Sequence, residues 1–584
     1  MNIKYALLDS SYKHIKYSDV PKTIWGKKDM EITIAKQEKF AFQLMLNCNE
    51  EIYYSLDKNN NLSWKGIKNR LRLELNLDKK LEEYFNIAFL GYIKDDTGIL
   101  VSDPILREPG LLIEEGISQM IWIEGVVPSS WENKNIDINI DIYSQCGFGD
   151  EEKIKTVKVK VNVMDICLSP LNKSDFYLDL WQHPSNWARM YKVPLWSKAH
   201  WDIIKIYLEE LASMGEKVIT AIVSDFPWAG QSCYKFSKNA SNLFEHNMIK
   251  IIKNKNGKLL CDFSILDRYI EICIKLGIDE EIDLFGLLGN WDAFDFGNPI
   301  KDYKDPIRLN YYDEGSETFK YISTKKELKV YITSLFNHLI EKGWWNKVYV
   351  MSDEPNNPDL FNEYVEFINS CSKEHKVFYK TAVHDKKFMK EFSKKVDSLS
   401  LSAPFTISSL NNLYEMKKYF DEKLGKFTWY VCCFPQRPNN FISSPFIENR
   451  LIGWFTYYFG LDGFLRWDYA IWPDDPWNEP SYKFPSWKAG DMFFVYPGKD
   501  LKPVRSVRWE NLRFGIQDYQ LFKLLEEKGF SKKEIEEKFM EKALGKKEEM
   551  KAPCDRSVDL NYKLEYDLYN EIRKIIMEKL ICFS

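Results

Sequence analysis

The first third of the chain alternates apolar and polar residues with a period of two. The apolar positions form four series: Phe40, Phe42, Leu44 and Leu46; Leu71, Leu73, Leu75 and Leu77; Ile136, Ile138, Ile140 and Ile142; Val157, Val159, Val161 and Val163. Such alternation is typical of antiparallel strands with one buried face. The segment CGFGDEE between the last two series supplies a turn, so these strands are expected to pair as a hairpin. We therefore predict an antiparallel β-sandwich over residues 1–170.

After about residue 170 the pattern changes to short apolar strands separated by amphipathic helices. The strand candidates are 176–182, 217–225, 282–290, 347–354, 376–385, 397–403, 427–433 and 462–472. Alternating strands and helices predict parallel βαβ units, and eight such units are what a (β/α)8 barrel needs. Helix ends are recognisable as well: a helix from Ser197 to Met214, one between the Thr324–Glu327 capping box and Gly343, one from about Ser506, and another in the lysine-rich tail. The prediction is a multidomain chain in which the sandwich precedes an α/β TIM-like barrel with C-terminal helices, residues 171–584.

Polar and aromatic residues collect where the predicted barrel strands end. Three connections that follow strands two, three and eight (226–262, 290–322 and 473–504) are long and rich in aromatic, Gly, Pro, Asn and Asp residues. In a barrel these loops form the catalytic face. A rim of polar groups and rings is suited to a hydroxylated ligand. The candidate ligand-binding residues are His183, Asp225, Asn290, Trp291, Tyr430, Trp467, Asp468 and Trp472. For the tryptophans and Tyr430, packing into the barrel is the alternative.

The fourth strand, KVYVMSDEP, runs from apolar residues directly into Asp353 and Glu354. Two acids at a strand exit are costly unless they are paired or used. Neighbours on a regular strand point to opposite faces, so both acids reach one ligand only if the strand end is twisted or bulged. The alternative is that Asp353 alone faces the site, while Glu354 caps the next helix or binds a loop arginine.

The adjacent positions of Asp353 and Glu354 limit which mechanism of glycoside hydrolysis they can support. Glycoside hydrolysis usually needs two carboxyls that flank the anomeric carbon, which adjacent residues do not easily provide. The arrangement becomes sensible if the carbonyl oxygen of a 2-acetamido group attacks C1 and forms an oxazolinium. Asp353 would then hold the acetamido N–H. Glu354 would act first as acid and then as base, which requires a raised pKa.

Composition narrows the classes of partner. Aromatic residues make up 15%, which suits sugar faces and large cores equally. The 81 basic and 86 acidic residues are interspersed and leave a net charge of −5, so neither nucleic acid nor an anionic membrane is an expected partner. The start of the chain lacks the apolar stretch of a secretory signal, and no later run is long enough to span a bilayer. A cytoplasmic location without membrane insertion is expected.

Cysteine and histidine usage gives no indication of a metal. The 11 Cys include no C-x-x-C pair, and none of the 7 His stands in an H-E-x-x-H motif. Neither a metal nor another cofactor is therefore expected in the chemistry. Cys432 and Cys433 are neighbours in an apolar strand pattern, for which reduced, buried thiols are the preferred interpretation.

Three segments together resemble glycoside hydrolase family 123, the bacterial β-N-acetylgalactosaminidases: YVMSDEP, DGFLRWDYAIWP and RSVRWENLRFGIQDYQ. The resemblance covers the whole chain. It implies an exo-acting retaining hydrolase that releases terminal β-linked N-acetylgalactosamine from glycans or glycosphingolipid-type oligosaccharides by substrate assistance. It also implies Asp353 as the polarising residue and Glu354 as the acid/base. Arg505, Arg508 and Arg513 in the last segment are expected to pair with Glu510 and Asp518.

Two other functions fit the same residues. One is a retaining β-glycosidase with a carboxylate nucleophile such as Asp225 or Asp468. The other is a non-catalytic carbohydrate-binding protein, because a fold alone does not specify catalysis. The residues leave galacto and gluco configurations, the aglycone, the linkage and the oligomeric state open.

Overall fold

The computed structural model describes residues 2–58, 69–225, 245–288, 308–355, 357–372, 374–384, 395–482 and 484–582. Elements are numbered in chain order within these residues. The N-terminal elements are β1 (Ile3–Asp9), α1 (Lys22–Trp25), β2 (Glu31–Lys36), β3 (Lys39–Cys48), β4 (Ile52–Ser55), β5 (Asn69–Asn76), β6 (Phe85–Lys94), β7 (Leu100–Ile105), β8 (Gly110–Ile113), β9 (Ser118–Val126), β10 (Asn135–Cys146) and β11 (Glu152–Cys167).

These strands form two sheets that share one apolar core. The five-stranded sheet has the order β1-β3-β9-β6-β7 and is antiparallel throughout. The six-stranded sheet has the order β2-β11-β10-β5-β4-β8 and is antiparallel except at β11/β2 and β4/β5. Phe42 and Leu44 of the first sheet lie in the same buried cluster as Ile138 and Val159 of the second. Ile138 pairs with Val159 across β10 and β11, so the predicted hairpin is confirmed.

The remaining elements alternate strands and helices. They are β12 (Tyr177–Leu180), α2 (Pro184–Tyr191), α3 (Lys198–Ala212), β13 (Val218–Ile222), β14 (Lys250–Lys253), β15 (Leu259–Asp262), α4 (Ser264–Leu276), β16 (Glu281–Phe285), β17 (Asn310–Asp313), β18 (Thr318–Tyr321), α5 (Lys325–Glu341), β19 (Val348–Asp353), α6 (Pro358–Asn369), β20 (Phe378–Val383), β21 (Ser398–Ser402), α7 (Ala403–Ser408), α8 (Leu413–Glu422), β22 (Phe427–Tyr430), α9 (Phe446–Phe459), β23 (Gly463–Arg466), β24 (Tyr496–Pro497), β25 (Pro503–Val504), α10 (Val507–Glu527), α11 (Lys532–Ile535), α12 (Glu541–Leu544), β26 (Lys551–Cys554), β27 (Ser557–Asp559) and α13 (Tyr566–Cys582).

Eight of these strands make a nearly closed parallel barrel. Their order is β12-β23-β22-β21-β20-β19-β16-β13, so consecutive barrel strands are neighbours. Each predicted strand segment contains or overlaps one of them, which confirms the prediction of an eight-stranded parallel barrel. The carboxyl ends of all eight strands therefore face one side of the molecule, where the site of such a barrel lies.

Side chains close the seam between β12 and β13. Backbone pairing at this seam is reduced to an isolated bridge between Leu178 and Glu216. The Glu216 carboxyl accepts hydrogen bonds from the backbone N–H groups of Leu180 (2.9 Å) and Val218 (3.1 Å). A buried N–H without an acceptor is costly, so this side chain substitutes for a missing strand contact.

The barrel interior also holds a charge cluster. Lys380 of β20 lies 2.6 Å from Asp179, 2.7 Å from Glu281 and 2.9 Å from Asp283, and all four side chains are buried. Burial lowers the pKa of Lys380, but the three carboxylates outweigh this effect and raise it well above the usual value. The lysine therefore stays charged and joins strands from opposite parts of the sheet.

The long connections after strands two and three contain a second sheet that the sequence pattern did not reveal. Its order is β15-β14-β17-β18, and β14 pairs in parallel with β17. The two loops are thereby tied to each other beside the carboxyl ends of the barrel strands.

The N-terminal sheets pack against the C-terminal helices through apolar and charged contacts. Leu8 and Trp122 share a buried cluster with Phe514 of α10. Arg505 pairs with Glu124 (2.6 Å) across this boundary. None of the helices in the described part of the chain combines the length and the apolar character needed to cross a bilayer.

The predicted partners of the arginines in the closing segment are correct only in part. Arg505 (2.5 Å) and Arg513 (3.1 Å) both pair with Glu510. Arg508 instead binds Asp103 (3.0 Å) of β7. Asp518 is occupied by two other arginines, Arg450 (2.6 Å) and Arg573 (2.5 Å). The prediction failed here because these partners come from other parts of the chain.

Candidate active site

The backbone changes direction between the two acids of the fourth barrel strand. Asp353 is the last residue of β19 and lies opposite Ala382 of β20. Glu354 follows with φ of +43°, in the left-handed region that residues other than glycine rarely adopt. A regular strand would send the two side chains to opposite faces. The left-handed residue breaks this alternation, so the twisted strand end that the sequence required is present.

Glu354 is held by residues at the ends of two other barrel strands, β20 and β22. The Tyr430 hydroxyl, at the end of β22, donates a hydrogen bond to Glu354 Oε1. His384 Nδ1, just beyond β20, lies 3.3 Å from Glu354 Oε2. The Glu354 side chain keeps 26% of its surface exposed, so a ligand can still reach it.

The alternative roles considered for Glu354 do not fit these contacts. The cap of the following helix, α6, is Asn357, whose side chain accepts a hydrogen bond from the Leu360 N–H (3.1 Å). Within the described residues, the ion-pair partner of Glu354 is His384 rather than an arginine. Glu354 is therefore not the cap of α6, and its ion pair is with His384, although the charge of Arg556, in the turn between β26 and β27, also acts on it.

The electrostatics at Glu354 differ from the prediction. Burial raises the pKa of the Glu354 carboxyl, but the hydrogen bonds from His384 and Tyr430 and the charge of His384 outweigh it and lower the pKa below its usual value. The predicted raised pKa is wrong for this structure, because donors from other strands stabilise the carboxylate. Burial and the Glu354 charge raise the pKa of Tyr430 well above its usual value, and the Asp353 charge adds to this. Tyr430 is thus a neutral donor beside both acids.

His384 is a site residue that sequence reasoning underrated. It is one of several polar residues that follow the ends of predicted strands, and nothing local distinguishes it from the others. Its contact with Glu354 depends on the pairing of β19 with β20, in which Asp353 lies opposite Ala382, two residues before His384. A polar residue at the end of the strand adjacent to an acid pair is the signal that was available.

His183 and Asp468 bind each other under the rim rather than forming an open site. His183 Nε2 lies 3.0 Å from Asp468 Oδ2, and His183 Nδ1 lies 3.9 Å from Glu245 Oε1. Asp468 also accepts a hydrogen bond from the Ala470 N–H (2.7 Å). Burial lowers the pKa of His183 to about 4 and raises that of Glu245 to about 7. This buried cluster connects the ends of barrel strands one and eight.

Asp225 has a similar supporting position. It is buried, and its carboxylate accepts hydrogen bonds from the Asn247 N–H (3.1 Å) and from the Asn310 side chain of β17. Burial raises its pKa above the usual value. Asp225 therefore holds together the loops that follow strands two and three.

The two tryptophans after strand eight are largely covered. Trp467 is 8% exposed, and its indole N–H donates to Asp491 Oδ1 (3.1 Å). Trp472 is 0% exposed, and its N–H donates to the Val495 carbonyl (2.7 Å). A ring without exposed surface cannot stack on a sugar unless the loop rearranges, so the structure does not support Trp472 as a sugar platform. Asn290 and Trp291 lie outside the described residues.

Comparisons with known proteins identify the family of the chain and support its fold. The sequence profile of the glycoside hydrolase 123 catalytic domain matches residues 181–525, more than half of the chain. A solved structure of a family 123 glycoside hydrolase from Clostridium perfringens, whose description concerns glycolipid glycan hydrolysis, has a TM-score of 0.75. The alignment covers 100% of this chain and 98% of that chain at 19% identity, so the two are distinct proteins with one fold.

A noncanonic maltogenic α-amylase from Thermotoga neapolitana aligns over 60% of this chain and 77% of its own, at 10% identity and a TM-score of 0.29, which is too low to support an argument. No curated protein sequence matches this chain. The profile match, the barrel and the acid pair at the end of its fourth strand establish that the chain belongs to glycoside hydrolase family 123.

Proposed function

We propose that this glycoside hydrolase is an exo-acting retaining enzyme that releases terminal β-linked N-acetylgalactosamine from glycans, including glycosphingolipid-type oligosaccharides, through an oxazolinium intermediate. The observation that carries the proposal is the left-handed backbone at Glu354, which follows directly on Asp353. It allows adjacent acids to serve one sugar, the arrangement that substrate assistance needs. The glycolipid glycan hydrolysis described for the Clostridium perfringens protein supports the choice of substrate.

In the proposed mechanism the substrate supplies the nucleophile. Asp353 accepts the acetamido N–H and orients the carbonyl oxygen toward C1, stabilising the positive charge that develops as the ring closes. Glu354 protonates the departing glycosidic oxygen. Water then enters, and Glu354 removes its proton as the oxazolinium opens. Two displacements at C1 retain the β-configuration.

Tyr430 and His384 hold Glu354 in place for both steps. Each contacts a different carboxyl oxygen, so the carboxyl plane is fixed while one oxygen faces the reacting bond. These donors favour the carboxylate form of Glu354. A bound sugar excludes water from the site, and the charge of Asp353 then lies close to Glu354. Both effects disfavour the ionised form of Glu354 and so promote its protonation.

The other two functions have less support. Asp225 and Asp468 were the candidate carboxylate nucleophiles, but both are almost fully covered and occupied by internal partners. For a simple carbohydrate-binding protein, the left-handed strand end and the donors arranged around Glu354 have no evident use. Activity on sugars that lack the acetamido group would favour the first alternative, and sugar binding without turnover the second.

Two further assignments belong to the proposal. Tyr430, Asn290 and Trp291 are proposed sugar contacts, with a partial contribution from Trp467, whereas His183, Asp225, Asp468 and Trp472 support the strand ends. The N-terminal sheets are proposed to form a β-sandwich domain over residues 1–170, with a catalytic domain over residues 171–584.

The first test is a screen of nitrophenyl β-glycosides that differ at C2 and C4. We expect hydrolysis of the N-acetylgalactosaminide in preference to the N-acetylglucosaminide, and neither glucoside nor galactoside as a good substrate. Proton NMR of the early reaction should show the β-anomer as the first product. An α-anomer would exclude substrate assistance, and efficient cleavage of a plain galactoside would favour a protein nucleophile.

The second test separates the roles of the two acids. The oxygen of a natural sugar leaving group must be protonated as it departs, because its alkoxide is unstable. A nitrophenolate is stable as an anion and depends little on protonation. Glu354→Gln should therefore lose roughly 10²–10⁴-fold in kcat/KM on a disaccharide, and much less on the nitrophenyl substrate.

Asp353→Asn is the matched variant, since it acts on the ring-closing step and should reduce both rates by comparable factors. An unchanged ratio of the two rates in Glu354→Gln would remove Glu354 from the acid/base role.

A further inference from the structure

Two adjacent thiols follow the strand whose last residue, Tyr430, donates a hydrogen bond to Glu354. Cys432 and Cys433 follow β22 and stand two and three residues beyond Tyr430. Their sulfur atoms are 4.0 Å apart, and both side chains are half-buried rather than enclosed. The sequence pattern predicted buried thiols within a strand, whereas both cysteines lie after the end of β22 and are half-buried.

The backbone around the two thiols is fixed by buried polar contacts. Cys432 N–H donates to the Phe434 carbonyl (3.0 Å), and the Asn439 side chain donates to the Cys432 carbonyl (3.0 Å). Arg466, which is fully buried, donates to the Val431 carbonyl (2.8 Å) and to Asn439 Oδ1 (2.9 Å). The two thiols are thus presented together on a held loop, so little ordering is needed when both sulfurs bind one atom.

This geometry does not favour a disulfide. Disulfide-bonded residues usually have Cα atoms roughly 4.4–6.8 Å apart, but consecutive residues are held at about 3.8 Å. The sulfurs would also have to approach from 4.0 Å to a bond length of about 2.05 Å. A larger atom that bonds to both sulfurs needs a much smaller movement.

We propose that Cys432 and Cys433 form a dithiol site for trivalent arsenic presented as an organic arsenoxide, and that its occupation stops glycoside hydrolysis. In the reaction the As=O bond is replaced by two As–S bonds. The oxygen leaves as water with the two thiol protons, and arsenic and sulfur keep their oxidation states. The reaction needs no oxidant.

The protonation state of Cys432 distinguishes this reaction from chemistry that leaves a thiolate. Burial raises the pKa of the Cys432 thiol well above its usual value, and the contact with Cys433 and the charge at Glu354 add to the effect. Alkylation and oxidation of Cys432 proceed through the thiolate and are slowed. The complete condensation with an arsenoxide consumes both thiol protons and releases them in water, so the raised pKa of Cys432 does not oppose its equilibrium.

Occupation of the site should affect catalysis directly. Cys432 is close enough to Glu354 and Tyr430 for their charges to interact. An arsenic atom with its organic group would add bulk at the mouth of the site and would strain the loop that places the Tyr430 hydroxyl on Glu354. This part of the inference rests on the proposed function.

Phenylarsine oxide and intact-protein mass spectrometry test the site. We expect one reagent per chain to remain bound, with the mass increase of the reagent less one water. Hydrolysis of a disaccharide with a terminal N-acetylgalactosamine should fall by roughly 10²-fold, the lower end of what general acid assistance contributes, and hydrolysis of the nitrophenyl N-acetylgalactosaminide should fall less. A dithiol such as 2,3-dimercaptopropanol should restore activity, whereas a monothiol at equal thiol concentration should not.

Single-thiol variants supply the controls. Cys432→Ser and Cys433→Ser should each lose the stable adduct and resist the reagent. Cys554→Ser, which removes an exposed single thiol, and Cys233→Ser, which lies outside the described residues, should keep the adduct.

An adduct that survives in both Cys432→Ser and Cys433→Ser overturns the dithiol site. An adduct that leaves hydrolysis unchanged overturns its effect on catalysis. Adduct mass is read without any substrate, so a parent that does not cleave the nitrophenyl substrate would count against the proposed function alone.

Discussion

At the scale of single residues, Glu354 stands where three strand ends meet. Its backbone N–H donates to the Ala382 carbonyl of β20 (3.1 Å), while its carboxyl contacts Tyr430 and His384. Such contacts on both backbone and side chain stabilise a left-handed conformation that is otherwise strained. Rare backbone angles persist where the surroundings determine them, and in enzymes these positions are often functional.

Replacing His384 should change the pH dependence of the reaction. Only protonated Glu354 acts as an acid, so kcat/KM should fall as pH rises through the pKa of Glu354 in the free enzyme. His384 lowers that pKa in the parent. In His384→Ala the pKa rises, and the alkaline limb of the kcat/KM profile should move to higher pH. His375→Ala, an exposed histidine elsewhere on the barrel, is the control and should leave the profile unchanged. A limb that stays in place or moves to lower pH contradicts this role.

The acid pair was predictable from the sequence, but its surroundings were not. A strand that ends in two carboxylates can be recognised in the sequence, because apolar residues give way to two acidic residues within a few positions. The contact of His384 with Glu354 and the burial of Trp472 depend on how distant segments pack. The residues after strand eight show this most clearly, since DGFLRWDYAIW indicated a sugar platform while its final ring is enclosed.

At the scale of elements, the barrel is complete except at one seam. Seven of the eight strand boundaries carry regular parallel pairing, whereas β12 and β13 meet at one bridge. Glu216 closes part of this gap with two hydrogen bonds to backbone N–H groups. Gln182 and Thr220 close another part: each backbone N–H donates to the other side chain, at 3.1 Å and 2.9 Å.

Removing the Glu216 side chain should therefore destabilise the barrel. Glu216→Ala leaves two buried N–H groups without an acceptor, which should lower the free energy of unfolding by about 2–6 kcal/mol, since each such group costs about 1–3 kcal/mol. Glu216→Gln keeps an acceptor oxygen and should lose less. Urea unfolding followed by circular dichroism measures both.

Glu209→Ala, on the exposed face of α3, is the control for the loss of a glutamate and should change stability by less than about 0.5 kcal/mol. Equal stability of Glu216→Ala and the parent would show that the seam does not depend on this side chain.

The sequence pattern predicted the long, buried strands better than the short strands in the loops. Barrel strands and the β10–β11 hairpin have a strong apolar pattern, because each buries one or both faces against many residues. The strands β14, β15, β17 and β18 are four residues each and are stabilised by pairing between two separate loops. A pattern read along the chain cannot contain such pairing, which explains why this sheet was missed.

At the scale of the whole molecule, the N-terminal sheets and the barrel are joined by a core and by charges. Trp122 of β9 and Phe514 of α10 belong to one buried cluster. Beside it, Glu124 and Glu510 share Arg505 and Lys39, and Arg513 also pairs with Glu510. Removing Arg505 takes away one of the two cations that face the buried Glu124, which is far costlier than losing an exposed pair.

Low pH should therefore weaken the contact between the N-terminal sheets and the barrel. The size of this effect should depend on Arg505. Burial raises the pKa of Glu124, but Lys39 and Arg505 outweigh it and lower the pKa from 4.5 to about 2. A carboxyl with a lowered pKa contributes stability above its unfolded value, and this contribution is lost as pH falls from 4.5 toward 2. The parent should accordingly lose stability steeply over that range.

Arg505→Met removes the cation while keeping an apolar side chain of similar length. At pH 7 it should cost about 3–5 kcal/mol, as expected for breaking a buried ion pair. Because the pKa of Glu124 then rises toward its usual value, the further loss of stability between pH 4.5 and 2 should be smaller than in the parent. Lys198→Met, which breaks an exposed pair on α3, is the control and should follow the parent at every pH. Urea unfolding at pH 7, 4.5 and 3, read by both far-UV and near-UV circular dichroism, measures these slopes. An Arg505→Met chain as steeply acid-sensitive as the parent would show that the cluster does not join the sheets to the barrel.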